Sequence, residues 1–303
     1  MANVNYISLE NRPASTQKMF LSRIRKLFPN WSAFIGVLMV LVVIILSIAA
    51  PLIAPYDPEE QNIKNAFIPP SWEEGGSPDY LLGTDALGRD LYSRIIFGLR
   101  TSLAISVSAV ILLLTIGVSV GLVAGYYGGG FLDNLLMRLT DIQMALPFIV
   151  LAITILSVFE PSIPVLIVVL ALVQWPLYAR VIRGMVLIER ETDYILAAKA
   201  MGASDFRILT RYLLRNIIVA VLILSTLDMA AMIIGEATLS FMGLGVQPPT
   251  PSLGNIMADG RLKLSLYWWI TTLPGVVIFF TILGLNLFGD GMQMVIDPKL
   301  RKR

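Results

Sequence analysis

Long stretches of this chain carry no Asp, Glu, Lys or Arg, and they alternate with segments into which the charges are crowded. A hydrocarbon core about 30 Å thick takes roughly 20 helical residues at about 1.5 Å rise each. Five uncharged runs qualify as spans: Leu27 to Tyr56, Thr101 to Leu132, Ile142 to Phe159, Pro161 to Ala179 and Leu264 to Gly289. A further stretch, Asn216 to about Phe241, is apolar apart from Asp228 and Glu236. The pattern therefore predicts six transmembrane helices. In lipid each backbone polar group has to be paired within its own segment or in a closed barrel. Runs of this length read as helices, not as the alternating segments of about 10 residues that build a barrel. The expected fold class is all-α, a polytopic integral membrane protein. Pro147 in the third span and Pro164 and Pro176 in the fourth predict local kinks.

The polar segments divide the chain. Residues 1–30 form a basic tail whose end, "MFLSRIRKLF", reads either as a topology-setting flank or as an amphipathic segment on the inner leaflet. The first apolar run is too long for a secretory h-region and starts after some 30 residues, so it reads as a retained anchor. Residues 31–303 make one transmembrane domain, with an external loop over 56–100 and a second polar loop over 184–215. Most of the 23 Lys and Arg residues fall in the tail, the 180–215 segment and the C-terminus, which puts both termini and that loop in the cytoplasm. Composition agrees with a membrane protein: 56% hydrophobic, 15% charged, mean hydropathy +0.76. With no Cys and no His, thiolate and imidazole chemistry, disulfides and the usual transition-metal ligands are excluded, so no metal site is expected. A net charge of +2 gives no ground for nucleic acid, because the positive residues serve topology.

Three features carry candidate function. In "ETDYILAAKAMGASDFRILTRYLLRN", Thr192 is placed to cap a helix over Asp193–Met201, Gly202 to end it, and Ser204 to cap a second helix. Tyr194, Ala197, Ala198 and Met201 share one face by the i, i+3, i+4, i+7 rule, an apolar face with little bulk that suits a groove on another protein. A plain loop helix resting on the bilayer is the competing reading. In the second feature, Gly117, Gly121 and Gly125 form a small-residue stripe that admits a close neighbour, either inside the chain or in a second subunit. The third is charge. Asp228 and Glu236 lie within a span, where they line a path or are buried in hydrogen bonds to a neighbouring helix. In "GTDALGRDLYSR", Asp85, Arg89 and Asp90 read as loop charge or as a docking surface. Trp268 and Trp269 read as an interfacial aromatic pair.

At "LAAKAMG" the chain resembles the membrane subunits of ABC importers, whose last large cytoplasmic loop carries Glu-Ala-Ala, three residues, Gly, nine residues and Ile-x-Leu-Pro. Leu196, Ala197, Ala198 and Gly202 fall on that pattern and Leu214-Arg215 on its Leu-Pro, so the Glu and the Pro are missing. "LLGTDALGRDLYSRIIFGLRTSLAISV" and "GEATLSFMGLGVQPPTPSLGNIMADG" resemble segments of the C-type permeases of dipeptide, oligopeptide and nickel importers. The last segment keeps Gly289-Asp290 and Asp297-Pro298 but has Gln293-Met294 where an Arg-Asp pair is usual.

The resemblance covers roughly residue 30 onward. It implies a type I importer fold and a coupling role for Tyr194, Ala197, Ala198, Met201, Gly202 and Ala203 against an ATPase. It also implies a homologous second permease, two ATPase subunits that use ATP and Mg, and an extracytoplasmic substrate-binding protein met at the Asp85–Asp90 loop. A bacterial or archaeal plasma membrane, with membrane lipid around the spans, follows. The chain itself has no P-loop and is read as a non-enzyme. Di- or oligopeptide is the implied substrate; nickel is harder to support without His or Cys. An ion-coupled secondary transporter, which needs paired midplane charges, and a membrane scaffold are the readings from other classes.

Overall fold

The computed structural model describes residues 31–296, and every regular element among them is helical. In chain order those of eight residues or more are α1 (Trp31–Ile53), α2 (Leu91–Tyr126), α3 (Phe131–Met144), α4 (Phe148–Leu156), α5 (Ile163–Glu189), α6 (Asp193–Ala200), α7 (Leu214–Phe241), α8 (Leu253–Gly260) and α9 (Trp268–Ile296). The expected basic tail and the Asp297-Pro298 motif lie outside the described residues. Among the described residues, five helical stretches are long and apolar enough to cross a membrane: α1, α2, α5, Asp205 through α7, and α9.

The third expected span is not a single helix. α3 and α4 are bent by 90° across the break at residues 145–147, and only as a bent pair do they make a sixth crossing. Pro147 has no N–H to continue the ladder and disfavours the helical region for Leu146. Electrostatics then fix the first half. Arg183 of α5 makes a two-pronged contact with the buried Asp133, with Nη2 2.7 Å from Oδ2, and Arg180 pairs with Asp141 in the last turn of α3. Asp141 thus lies in the last turn of α3, so the expected span from Ile142 begins inside the end of one helix and not at the start of another. Pro164 sits in the first turn of α5, where a missing N–H costs nothing, and α5 runs on through Pro176.

The glycine stripe resolves to internal packing. A Cβ added to Gly117 would lie 2.6 Å from Cβ of Tyr178, one on Gly121 2.7 Å from the Ala179 carbonyl, and one on Gly125 2.6 Å from Cβ of Val186. α2 and α5 thus run side by side at backbone contact, the most extensive helix pair in the described chain. α1 packs along α9 in the same manner, with Gly36 against the backbone of Phe288.

Two apolar clusters follow from this frame. The larger joins Leu113, Leu166, Leu170, Ile182 and Leu239 with Ile195, Ile208 and Leu213, so that the polar segment after α5 is rooted in the core. The smaller, at the other end of α2, unites Leu91, Ile95 and Leu99 with Leu253, Ile256 and Trp269. Above the smaller cluster the 56–90 loop is ordered. Thr84 Oγ1 accepts the Ile68 N–H at 2.8 Å, the Trp269 indole donates to the Thr84 carbonyl at 3.1 Å and the Trp268 indole to Glu73 at 2.9 Å. The tryptophan pair therefore holds a loop down, a role that the interfacial reading did not foresee.

A branched side chain on the stripe has no space to enter. Gly121→Val is expected to lose at least about 2 kcal/mol through overpacking. The effect should appear as a lowered thermal midpoint of the purified protein in detergent, while the exposed Gly129→Ala, whose Cβ would meet no heavy atom but whose φ is +83°, shows a smaller loss.

Candidate functional site

The segment after α5 is built around one glycine. Gly202 has φ +80°, a conformation that a side chain disfavours, and it closes α6 with two backbone bonds: Gly202 N–H to the Lys199 carbonyl at 2.9 Å and Ala203 N–H to the Ala198 carbonyl at 3.0 Å. The expected side-chain caps are absent. Thr192 holds the N-cap position, but its hydroxyl donates back to the Glu189 carbonyl at 2.7 Å, and Ser204 makes no side-chain cap bond. The second helix is also different. After one short turn, Asp205–Arg207, the chain widens into a π-helical stretch, Ile208–Leu213, and runs directly into α7.

Ile195 and Ala198 are the buried positions of α6, three residues apart on the stripe that meets the core. Ala198 therefore faces inward, which corrects its expected place on the open face, and Ala203 is half-buried. Tyr194, Ala197, Met201 and Gly202 stay on the outside, with Leu196 and Phe206 beside them. Met201 at 80% and Phe206 at 76% exposure stand on either side of the glycine corner as two large, uncovered apolar knobs.

Polar contacts tie this segment to three helix ends. Tyr126 and Tyr127, at the end of α2, donate to Asp205 at 2.6 and 2.9 Å, and the Lys199 ammonium lies 4.8 Å over the Tyr126 ring. The hydrogen bond to Asp205 raises the Tyr127 hydroxyl above its usual pKa. Tyr194 donates to Glu189 at the end of α5, and Asn216 at the start of α7 donates to the same carboxylate at 2.9 Å. Arg190 completes the set: its Nη1 reaches the Gly125, Tyr126 and Gly128 carbonyls at 3.2, 3.1 and 3.3 Å, filling the acceptors that the α2 C-terminus leaves open. Glu189, Arg190, Asp205 and the tyrosine pair did not stand out in the sequence. The consecutive aromatics just before "GGG" were the available signal.

The charges within the spans separate. Glu236 is fully buried and lines no opening. It accepts from Ser240 at 2.7 Å, and Ser102 of α2 and Ser252 before α8 stand beside it, so that its carboxyl sits where three elements meet. Asp228 is half-buried and takes a hydrogen bond from Tyr178 of α5.

Asp85, Arg89 and Asp90 are not displayed to solvent, at 0%, 5% and 3% exposure. Asp85 Oδ1 accepts the Leu87 and Arg89 N–H groups at 2.8 and 3.0 Å, while Oδ2 pairs with Arg89 at 2.6 Å and with Arg94. Both arginines continue to Asp259 of α8, at 3.1 and 3.0 Å. Asp90 caps α2 through the Ser93 N–H at 2.7 Å, and burial pushes its carboxyl above the usual pKa against the lowering pull of the Ser93 and Tyr92 contacts. The expected docking charges are thus the inside of a knot that fastens the loop to α2 and α8.

Comparison with known proteins agrees with this architecture. The family described as "Binding-protein-dependent transport system inner membrane component" matches residues 117–302, and "N-terminal TM domain of oligopeptide transport permease C" matches residues 20–70. The dipeptide transport system permease protein DppC of Haemophilus influenzae is 41% identical over 90% of this chain and 92% of its own length. The di/tripeptide transport system permease protein DppC of Pseudomonas aeruginosa is 38% identical over 97% of this chain and 98% of its own. Among solved structures, the inward-facing MetNI methionine ABC transporter aligns with a TM-score of 0.56 at 19% identity, over 67% of this chain and 97% of the other, which speaks for the fold. The chain belongs to the binding-protein-dependent inner-membrane transport components. It is a multi-pass permease subunit of an ABC importer, a transport protein and not an enzyme.

Removing one partner of the knot leaves a buried charge without its counterion. Asp85→Asn is expected to cost about 3 kcal/mol and to free the 56–90 loop. Limited proteolysis of the purified protein checks this, with new cleavage expected between residues 56 and 82.

Proposed function

From membership of that family, we propose that this chain is one of two permease subunits of an ATP-driven importer that carries di- and oligopeptides across a bacterial or archaeal plasma membrane by alternating access. The peptide substrate is supported by the two relatives above, which are named for dipeptides and di/tripeptides and align over nearly their whole length. The remaining subunits of the proposed assembly are a homologous permease, two ATPases that use ATP and Mg, and an extracytoplasmic binding protein. Both termini and the α6 segment lie on the ATPase side. This is the orientation that the distribution of Lys and Arg supports.

One observation carries the coupling role of α6: Met201 and Phe206 are uncovered on the outer face of a segment whose inner face is tied to three helix ends. An apolar side chain buried on association contributes about 1.5–3 kcal/mol. A polar anchorage alone would not require that two such side chains project beside a glycine corner. They fit a cleft on an ATPase. Displacement of the corner is passed on through Asp205 to α2, through Tyr194 and Glu189 to α5, and directly through the π-helical stretch to α7. The proposed docking set is accordingly Tyr194, Ala197, Met201, Gly202 and Phe206, with Ala198 and Ile195 as the inner footing. Asp228, half-buried within α7, is the proposed pathway charge and would meet the amino group of a passing peptide.

Two measurements test this. In the Met201→Asp, Phe206→Asp double variant, ATPase recovered with the tagged chain from gently solubilised membranes should fall at least tenfold. Full recovery of ATPase would overturn the docking assignment. For Asp228→Asn, vesicle uptake of peptides with a free amino terminus should drop several-fold relative to N-acetylated ones; an equal change in both would remove Asp228 from the path.

A further inference from the structure

A cavity of about 390 Å³, open on one side, lies at the end of the molecule opposite α6. Its floor is a single stripe of α2: Phe97, Arg100, Thr101, Ala104, Ile105 and Ser108 recur at helical spacing. The first turns of α5 supply Ile163 and Ile167 as an apolar wall, and Thr250, after α7, completes the lining.

Arg100 sets the chemistry of this space. The other arginines of the α2 entrance, Arg89 and Arg94, are held by Asp85 and Asp259. Arg100 is exposed and makes no ion pair or hydrogen bond among the described residues. A guanidinium without a counterion beside an apolar wall has five donors arranged for a planar two-oxygen anion. Ser108 and Thr250 line the same cavity. The volume lies within the range of small-molecule sites, roughly 300–1,000 Å³.

Position along the helix narrows the role. α2 has 36 residues, about 54 Å at 1.5 Å rise each, against a hydrocarbon layer of about 30 Å. Arg100 is the last charge before the uncharged run that begins at Thr101. The cavity thus sits where α2 enters the apolar layer, at the mouth that receives substrate in the proposed orientation. Peptides of different sequence share few groups; the terminal carboxylate is one. A transporter tolerant of side chains gains affinity for all of them from a single cation that grips this group.

We propose that this cavity is a carboxylate-binding subsite of the translocation path, in which Arg100 takes the C-terminal carboxylate of a short peptide in a two-pronged contact and the rest of the peptide lies along the α2 stripe toward Ser108. The inference rests on the importer reading above, and its test separates the two.

Because the chain has no Cys, a single Ser108→Cys substitution gives one reactive thiol in the cavity. In the assembled complex, its rate of labelling by a charged, membrane-impermeant maleimide should fall at least threefold with Ala-Ala at saturating concentration. The same peptide as its C-terminal amide should leave the rate unchanged, and adding Arg100→Gln should abolish the protection. Equal protection by acid and amide, no protection by either, or protection given by anionic lipid vesicles without peptide would overturn the subsite. In vesicles matched for subunit content, Arg100→Gln should lower dipeptide uptake at least tenfold and Arg100→Lys by less, since the lysine keeps the charge without the fork. Uptake by Arg100→Gln equal to wild type would also refute the proposal. If the wild-type complex moves no peptide at all, the importer reading fails instead, and the labelling result still decides whether the cavity binds carboxylate.

Discussion

The approach of α2 to α5 through Gly117, Gly121 and Gly125 is the constraint from which the other features of this protein follow. With side chains absent from that line, the two backbones meet directly, and Tyr178, Ile182 and Val186 lie where Cβ atoms would have been. The contact sets both helix ends at once. At one end it leaves the α2 C-terminus within reach of Arg190 and Asp205, and at the other it opens the cavity between the first turns of α5 and the stripe of α2. In lipid, where there is no hydrophobic gain from bringing two apolar helices together, such close packing supplies the attraction itself.

Charge serves two purposes in the structure. Asp133 with Arg183 and the Asp85, Arg89, Arg94 and Asp259 knot fasten α3 and the 56–90 loop to the helices beside them. Each buried acid among them is held by guanidinium groups, as desolvation requires. Met201 and Phe206 at one end, and Arg100 beside the cavity at the other, are among the side chains that no such contact holds, and they are where other molecules are proposed to meet the chain.

The sequence announced the spans because hydrocarbon admits no charge, and a charge-free run is visible without any knowledge of neighbours. The Gly202 corner was legible for a similar reason, since a left-handed residue that ends a helix is a local requirement. Direction was harder to read. Ala198 shares a helical stripe with both Tyr194 and Ile195, and only the core under Ile195 shows which way it turns. Pro147 signalled a disturbance in the third span, but the 90° bend and the contacts of α3 with Arg180 and Arg183 of α5 are visible only in the fold. The loop charges were misread most completely. Arg89 finds Asp259 across 170 positions, a separation at which spacing carries no information.

The length of α2 has a mechanical consequence. A helix about 24 Å longer than the hydrocarbon layer is thick carries the loop knot at one end and the Asp205 latch at the other on one unbroken ladder of hydrogen bonds. A rod of this kind has little compliance. In the proposed cycle, tilt imposed on one side of the membrane therefore arrives on the other as tilt of the same body, without an intermediate joint that could absorb the stroke or delay it. Communication between the two membrane surfaces is then a property of geometry and stiffness, and it demands no relay of successive contacts.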